Sequence, residues 1–157
     1  MIAVADASPL IALARIGRLE ILHHVLRTLY LPDAMWREVV EAGMNRAGAD
    51  AVLHADWIAR RPVADATLVS VLRRDLGAGE AEAIVLARET GAVLLMDDRM
   101  GRAAARHLGL RVTGVVGVLI EARERGVLAD AESVIEALDQ TAGFWLSDEL
   151  RRMVVGP

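Results

Sequence analysis

Acidic residues follow two of the apolar stretches that are most easily assigned to strands, at the point where each stretch ends. Asp6 comes directly after residues 2–5, and the pair Asp97 and Asp98 follows residues 93–96. In a sheet of parallel strands the carboxyl ends meet at one edge, and ligands bind beyond that edge. These carboxylates are therefore expected to lie close together, where their oxygen atoms can hold a metal ion.

Three further acids lie in segments that are expected to be helical near the same edge. Glu38 lies in the helix after the second strand, and Glu80 and Glu82 open the helix before the strand that ends at Asp97. Each acid also has a structural explanation. A carboxylate in the first turn of a helix favours the positive end of the helix dipole, and Asp98 could serve only as an N-cap. Glu38 could be an ordinary exposed residue paired with an arginine.

Asp6 is the exception to these structural explanations. Ser8 followed by Pro9 predicts the N-cap and the first position of the first helix, which leaves Asp6 without a local role. Carboxylates gathered at one site repel one another, and the chain has no lysine to neutralise them. Mg²⁺ binds oxygen ligands and resolves the repulsion. Such a cation polarises phosphoryl groups and activates water, so the pattern points to metal-assisted phosphodiester hydrolysis.

The composition limits the other possibilities. The chain has 157 residues, of which 54% are hydrophobic and only 3% aromatic, so one domain over residues 1–157 with an aliphatic core is expected. All 18 basic residues are arginine and cysteine is absent, which excludes Schiff-base lysines, P-loop lysines, thiolate metal sites and cysteine nucleophiles. The net charge of −4 provides no overall basic field. A nucleic acid would have to be held by local groups of arginines.

Short apolar runs alternate with longer amphipathic patterns along the chain. Strands are predicted at residues 2–5, 28–31, 93–96 and 110–112, with a weaker one near 57–59 in an otherwise unclear stretch at 45–75. Helices between buried strands are typical of an α/β fold with a parallel sheet covered on both faces. No run approaches the roughly 18 apolar residues that span a bilayer, and the first residues lack the basic segment of a signal peptide. We therefore expect a cytoplasmic protein that does not enter a membrane.

Four short segments, taken in their order and spacing, resemble a PIN-domain nuclease. They are VADASPLI at 4–11, LPD at 31–33 followed by Glu38, GEAEAI at 79–84 and LLMDDR at 94–99. The chain looks most similar to VapC-like members that carry a Gly-Glu-Ala-Glu-Ala segment, and the similarity extends to GFWLS at 143–147. The resemblance implies a three-layer α/β/α fold with a central parallel sheet. It also implies ribonuclease activity that depends on Mg²⁺ or Mn²⁺.

The resemblance also assigns roles to the acidic residues. Four of them match the catalytic, metal-binding carboxylates of the family: Asp6, Glu38, Glu80 and Asp98. Ser8 matches a hydroxyl residue that supports the first acid. Glu80 stands where VapC-type members often have aspartate, and Glu82 competes for the same role. Asp97 is a further candidate metal ligand, so the choice between Asp97 and Asp98 stays open.

Arginines follow the last acid at helical spacing. Arg99, Arg102 and Arg106 lie three or four residues apart, which places them along one side of a helix. Together with Ser8, Arg99 and Arg102 are candidate substrate-binding residues, since arginine recognises phosphate in a bidentate manner. A solvated helix face that balances the nearby acids is the alternative, and it is slightly favoured.

The resemblance thus predicts an endoribonuclease that hydrolyses RNA phosphodiester bonds and acts as the toxin of a toxin–antitoxin pair. It implies a small antitoxin protein as partner, and the apolar helices within residues 10–26 are expected to support a homodimer. The alternative is a catalytically silent PIN-fold module that binds RNA or protein. A phosphotransfer domain is disfavoured, because such domains generally use a lysine near the phosphoryl group.

Overall fold

The sheet of the computed structural model, which describes residues 2–43 and 46–157, has five parallel strands in the order β3-β2-β1-β4-β5. The strands are β1 (Ile2–Ala5), β2 (Thr28–Pro32), β3 (Ile58–Arg61), β4 (Val93–Leu95) and β5 (Val112–Thr113). The chain adds strands on one side of β1 and then crosses to β4 on its other side. The strand order therefore reverses between β1 and β4, which is where ligands bind in sheets of this type.

The described helices connect these strands and cover the sheet. They are α1 (Ala7–Arg15), α2 (Glu20–Leu26), α3 (Asp33–Trp36), α4 (Ala49–Leu53), α5 (Ala66–Leu72), α6 (Ala78–Thr90), α7 (Arg99–His107), α8 (Val115–Glu124), α9 (Ala131–Ala142) and α10 (Asp148–Val155). Residues 45–75, where the sequence pattern was unclear, contain α4, β3 and α5 in their described part. No helix among the described residues is long and apolar enough to cross a bilayer.

Two hydrophobic clusters lie on opposite faces of the sheet. Ala5 and Leu95 belong to the larger cluster, which α1, α2, α8 and α9 complete. Val4 and Leu94, their neighbours along the strands, belong to a smaller cluster with residues of α6 and α7. This alternation follows from the strand pleat, which points successive side chains to opposite faces. The expected three-layer α/β/α fold with a central parallel sheet is confirmed.

The start of α1 differs from the expectation. Asp6, not Ser8, is the N-cap, and its Oδ1 accepts a hydrogen bond from the backbone N of Ala7 at 2.8 Å. The helix begins directly after β1, so the first residue beyond the strand takes the cap. Pro9 is then the third helical residue, which is tolerated because the N–H groups of the first turn have no partner within the helix.

The helix after β2 changes its winding where Glu38 lies. The sequence predicts one helix up to Gly43, whereas α3 continues as a π-helical segment over Arg37–Glu41. The backbone N of Ala42 donates to the carbonyl of Arg37 at 2.7 Å, five residues back. Such wider turns are rare and are frequently found at functional sites.

Candidate active site

The predicted acids meet in one pocket of about 290 Å³ at the reversal between β1 and β4. The pocket is lined by Asp6, Ala7, Ser8, Glu38, Glu80, Asp97 and Asp98. The structure therefore brings together five of the six candidate acids and Ser8. Three other candidates, Glu82, Arg99 and Arg102, do not line it. The catalytic and ligand roles of these residues stay predictions.

The ends of β1 and β4 hold the first acid beside the last two. The backbone N of Asp6 donates to the carbonyl of Leu95 at 2.8 Å, so the parallel pairing continues one residue beyond β1. Asp6 is 5% exposed. Burial is the main cause that raises the pKa of its carboxyl to about 7. The hydrogen bond from Ala7 lowers this pKa, whereas the negative charges of Glu80, Glu38 and Asp98 raise it further. A carboxyl in this position ionises only with difficulty unless a positive charge is near.

Glu38 faces Asp6 from the π-helical segment. Glu38 keeps much of its surface exposed. The pKa of its carboxyl is nevertheless raised, first by partial burial and second by the negative charge of Glu80. The Arg46 guanidinium opposes this rise. Arg46 was not singled out from the sequence, because it lies in the stretch whose fold was unclear.

Two glycines at the start of α6 leave room for the neighbouring carboxylates of Glu38 and Glu80. A Cβ atom at Gly79 would lie 2.7 Å from Cε of Met35 and 3.0 Å from Oε2 of Glu38, closer than real side chains pack. A Cβ atom at Gly77 would overlap Oε2 of Glu80, because that carboxylate folds back over the start of the helix. The sequence signal was the Gly-Ala-Gly at 77–79, which resembles a dinucleotide-binding loop only faintly. Its role here is close packing beside the acids.

The two glutamates near the start of α6 point in different directions. Two residues along a helix are rotated by about 200°, so Glu80 and Glu82 cannot both face the pocket. Glu80 lines it, whereas Oε1 of Glu82 accepts a hydrogen bond at 3.1 Å from the backbone N of Ala34, in the first turn of α3. The competing candidate therefore ties α6 to α3 and supports the packing that brings Glu38 close.

Asp97 and Asp98 each bind a helix start through one oxygen. Oδ2 of Asp98 accepts from the backbone N of Gly101 at 2.7 Å and caps α7. Oδ2 of Asp97 accepts from the backbone N of Val115 at 3.2 Å, in the first turn of α8. Burial raises the pKa of Asp97, and the bond from Val115 and the charge of Arg102 oppose that rise.

The second oxygens of these carboxylates are not taken up by the hydrogen bonds at the helix starts, and Oδ1 of Asp97 lies beside Gly114. Asp6, Asp97 and Asp98 each use one oxygen for a hydrogen bond within the described part of the chain. No fully buried side-chain oxygen or nitrogen in that part lacks a partner. The other oxygen of each carboxylate is therefore accessible to solvent and can take a ligand.

Two arginines of α7, Arg102 and Arg99, differ in burial and in hydrogen bonding. Nη1 of Arg102 donates to the carbonyl of Met96 at 2.8 Å, and the side chain is half-buried. Arg102 thus supports the end of β4, a structural role that differs from the solvated helix face considered as the alternative. Arg99 is exposed and has no side-chain hydrogen bond within the described residues, so it remains available to a phosphate.

The donor set fits a hard divalent cation in type and charge. All candidate ligands are carboxylates, which suit Mg²⁺ and Mn²⁺, and the raised pKa of Asp6 reflects first its burial and then the negative charges of Glu80, Glu38 and Asp98. Among residues 2–43 and 46–157, however, no three Asp, Glu or His side chains are gathered into a ready coordination shell.

Comparison with known proteins identifies the class of the fold. The family described as DUF3368: PIN domain matches residues 2–156, so the chain belongs to the PIN domain family, whose fold is generally that of a nuclease. A solved structure with a similar fold is a PilT N-terminus domain protein, SSO1118, from the archaeon Sulfolobus solfataricus P2. It is 20% identical, with a TM-score of 0.56 over 79% of this chain and 95% of that one. No curated protein matches the sequence significantly.

The first prediction concerns stability and pH. Asp6 has a pKa of about 7 in the fold against 3.8 without it, so the folded protein binds the proton more tightly in this interval. Metal-free protein should therefore lose stability as the pH rises from about 4 to about 7, by an amount on the order of a few kcal/mol. Asp6→Asn should lack this loss and be more stable than wild type at pH 8. Chemical denaturation across this pH range measures both, and parallel pH curves for the two proteins would contradict the prediction.

The second prediction distinguishes the roles of Glu80 and Glu82 in α6. Glu80→Gln removes a like charge beside Asp6 and should lower the pKa of Asp6, read from the ¹³C shift of its carboxyl during a pH titration. Glu82→Gln should leave that pKa unchanged and weaken the tie to Ala34, which costs on the order of 1 kcal/mol of unfolding free energy. Equal pKa changes in the two variants would show that Glu80 is not the glutamate coupled to Asp6.

Proposed function

We propose that the protein is a metal-dependent endoribonuclease that hydrolyses RNA phosphodiester bonds, as its resemblance to VapC-like nucleases implies. The observation that supports this most directly is the convergence of Asp6, Glu38, Glu80 and Asp98 on one pocket at the β1–β4 reversal. Membership of the PIN domain family supports it independently, because the fold is generally that of a nuclease.

In this proposal Asp6, Glu38, Glu80 and Asp98 hold Mg²⁺ or Mn²⁺, with Asp97 as a further ligand. When bound, the cation supplies stabilisation of charge on the phosphoryl group and activation of water. The acids themselves repel an RNA phosphate, so a bound cation would strengthen substrate binding by removing that repulsion. The backbone hydrogen bonds to Asp6 and Asp98 fix the direction of the remaining carboxylate oxygens. Ser8 at the pocket wall and the exposed Arg99 contact the substrate phosphates.

We also propose that the nuclease is the toxin of a toxin–antitoxin pair in the cytoplasm, where its RNA substrate is found. Its partner would be a small antitoxin protein, and the chain would form a homodimer. The motif resemblance supports this assignment. Sedimentation of the purified protein tests the dimer, and a species of about twice 16.9 kDa is expected. Rescue of growth by a small neighbouring gene, when the nuclease is expressed, tests the pairing.

A catalytically silent module that binds RNA or protein is the second candidate. The lack of a ready coordination shell among the described residues favours it. Calorimetric titration with Mg²⁺ or Mn²⁺ separates the two, because a silent module would bind neither ion at millimolar concentration.

The third prediction tests catalysis. Wild type should cleave single-stranded RNA in Mn²⁺ or Mg²⁺, and Asp6→Asn should reduce the rate by at least about 100-fold, since a carboxylate ligand is lost while the shape is kept. Asp130→Asn is a matched control. Asp130 caps α9 as Asp6 caps α1 and lies outside the acidic pocket, so this variant should retain wild-type cleavage. Equal cleavage by Asp6→Asn and wild type would overturn the assignment.

The fourth prediction tests the cation without activity. An ion that binds only the folded state stabilises it by about 2.7 kcal/mol at 100 times its Kd. Mn²⁺ should therefore raise the Tm of wild type and of Asp130→Asn by several degrees, and that of Asp6→Asn much less. An equal rise in all three proteins would place the cation elsewhere.

A further inference from the structure

A second groove, of about 450 Å³, adjoins the acidic pocket on the side of β5. We call it the edge groove, because β5 is the last strand of the described sheet on that side. Its walls are mainly apolar and come from β5, α8 and α10: Val112, Val116, Ile120, Leu150 and Met153. The volume is within the range of roughly 300–1,000 Å³ that is usual for small-molecule sites.

The edge groove and the acidic pocket share a wall. Asp97 lines both cavities, so the two cavities adjoin at this residue. The groove is polar only at this shared end, where Arg102 and Thr113 join Asp97. Arg102 uses Nη1 for the Met96 carbonyl and keeps its other N–H groups, and the Thr113 hydroxyl has no hydrogen bond within the described residues.

Two glycines keep the floor of the edge groove open. A Cβ atom at Gly117 would lie 2.5 Å from Oγ1 of Thr113, and one at Gly114 would overlap Oδ1 of Asp97 and approach Nη1 of Arg102 to 2.9 Å. Any larger residue at these positions would displace the polar groups at the shared end. The two glycines therefore leave room for the polar groups at the shared end.

We propose that the edge groove binds a nucleobase of single-stranded RNA, next to the phosphate that the acidic pocket receives. The proposal rests on the proposed function for the position of that phosphate. A base has two apolar faces and a polar edge, which match apolar walls and a polar end with both donors and acceptors. The thioether of Met153 adapts to flat aromatic surfaces, and no aromatic side chain lines the groove.

Two other occupants fit the edge groove less well. A phosphate would meet apolar walls and the carboxylate of Asp97. A peptide strand added to the sheet would gain affinity from main-chain hydrogen bonds, but β5 spans only Val112–Thr113 and offers very few. The wall that the edge groove shares with the acidic pocket also favours a part of the nuclease substrate over a separate partner.

Two methionines of similar exposure provide a matched test. Met153 in the edge groove is 51% exposed, and Met100, which lines a different groove between α5 and α7, is 58% exposed. Methyl-¹³C methionine spectra of the Asp6→Asn protein, without metal, report binding without cleavage. Assignment uses Met153→Leu and Met100→Leu.

The probes are a short single-stranded RNA and the same RNA with abasic sugars. We expect the Met153 signal to shift with the complete RNA and the Met100 signal to stay in place. Abasic RNA should bind about tenfold more weakly and leave the Met153 signal unmoved, in line with the contribution of one buried base. Met153→Glu should remove the preference for complete over abasic RNA, whereas Met100→Glu should keep it.

The outcomes separate this inference from the proposed function. Cleavage of RNA by wild type with an unmoved Met153 signal would overturn the edge groove as a base site and leave the nuclease intact. A shift of Met153 with complete RNA only, in a protein that never cleaves RNA, would retain the base site and refute the nuclease. Equal shifts with complete and abasic RNA would show that the groove binds the backbone, and would overturn the inference.

Discussion

The mutual repulsion of carboxylates at the β1–β4 reversal is the constraint on which the site depends. Asp6 is nearly buried and feels the negative charges of Glu38, Glu80 and Asp98. Free side chains under such repulsion would turn away into solvent. The backbone holds Asp6 in place. Its backbone N donates to the carbonyl of Leu95 in β4, and its side chain accepts the cap hydrogen bond from the backbone N of Ala7. The fold thus stores an unfavourable charge arrangement that a divalent cation can relieve.

Close packing between α6 and α3 sets the distance across the pocket. Glycine at position 79 lets the two helices approach until Glu38 nearly contacts the α6 backbone, and Glu82 ties the same helices together through Ala34. The π-helical segment then determines the direction of Glu38. The side of the pocket opposite β4 is therefore built by helix contacts, whereas the β1 and β4 side is built by strand pairing.

This division explains how much the sequence could predict. Strand ends are visible as apolar runs that stop at acids, so the meeting of Asp6 with Asp97 and Asp98 followed from the rule for parallel sheets. The choice between Glu80 and Glu82 did not follow, because it depends on the rotation of α6, which long-range packing determines. The N-cap of α1 was predicted wrongly at Ser8, since local cap statistics do not include the position at which a strand ends. The π-helical turn has no local signal of its own.

The structural and functional explanations of the acids are not alternatives. The position of Asp98 in the sequence is compatible with a helix cap and with a metal ligand, and the two roles do not exclude each other. A carboxylate has two oxygens, and the acids at the strand ends divide them. One oxygen of Asp6, Asp97 and Asp98 accepts a backbone N–H at a helix start, which leaves the other oxygen available to a ligand. The cap bond limits the rotation of the side chain, and it therefore orients the oxygen that a ligand would meet. A helix start beside a parallel strand end provides both the anchor and the direction, so capping is the physical means by which this edge of the sheet presents acids to a ligand.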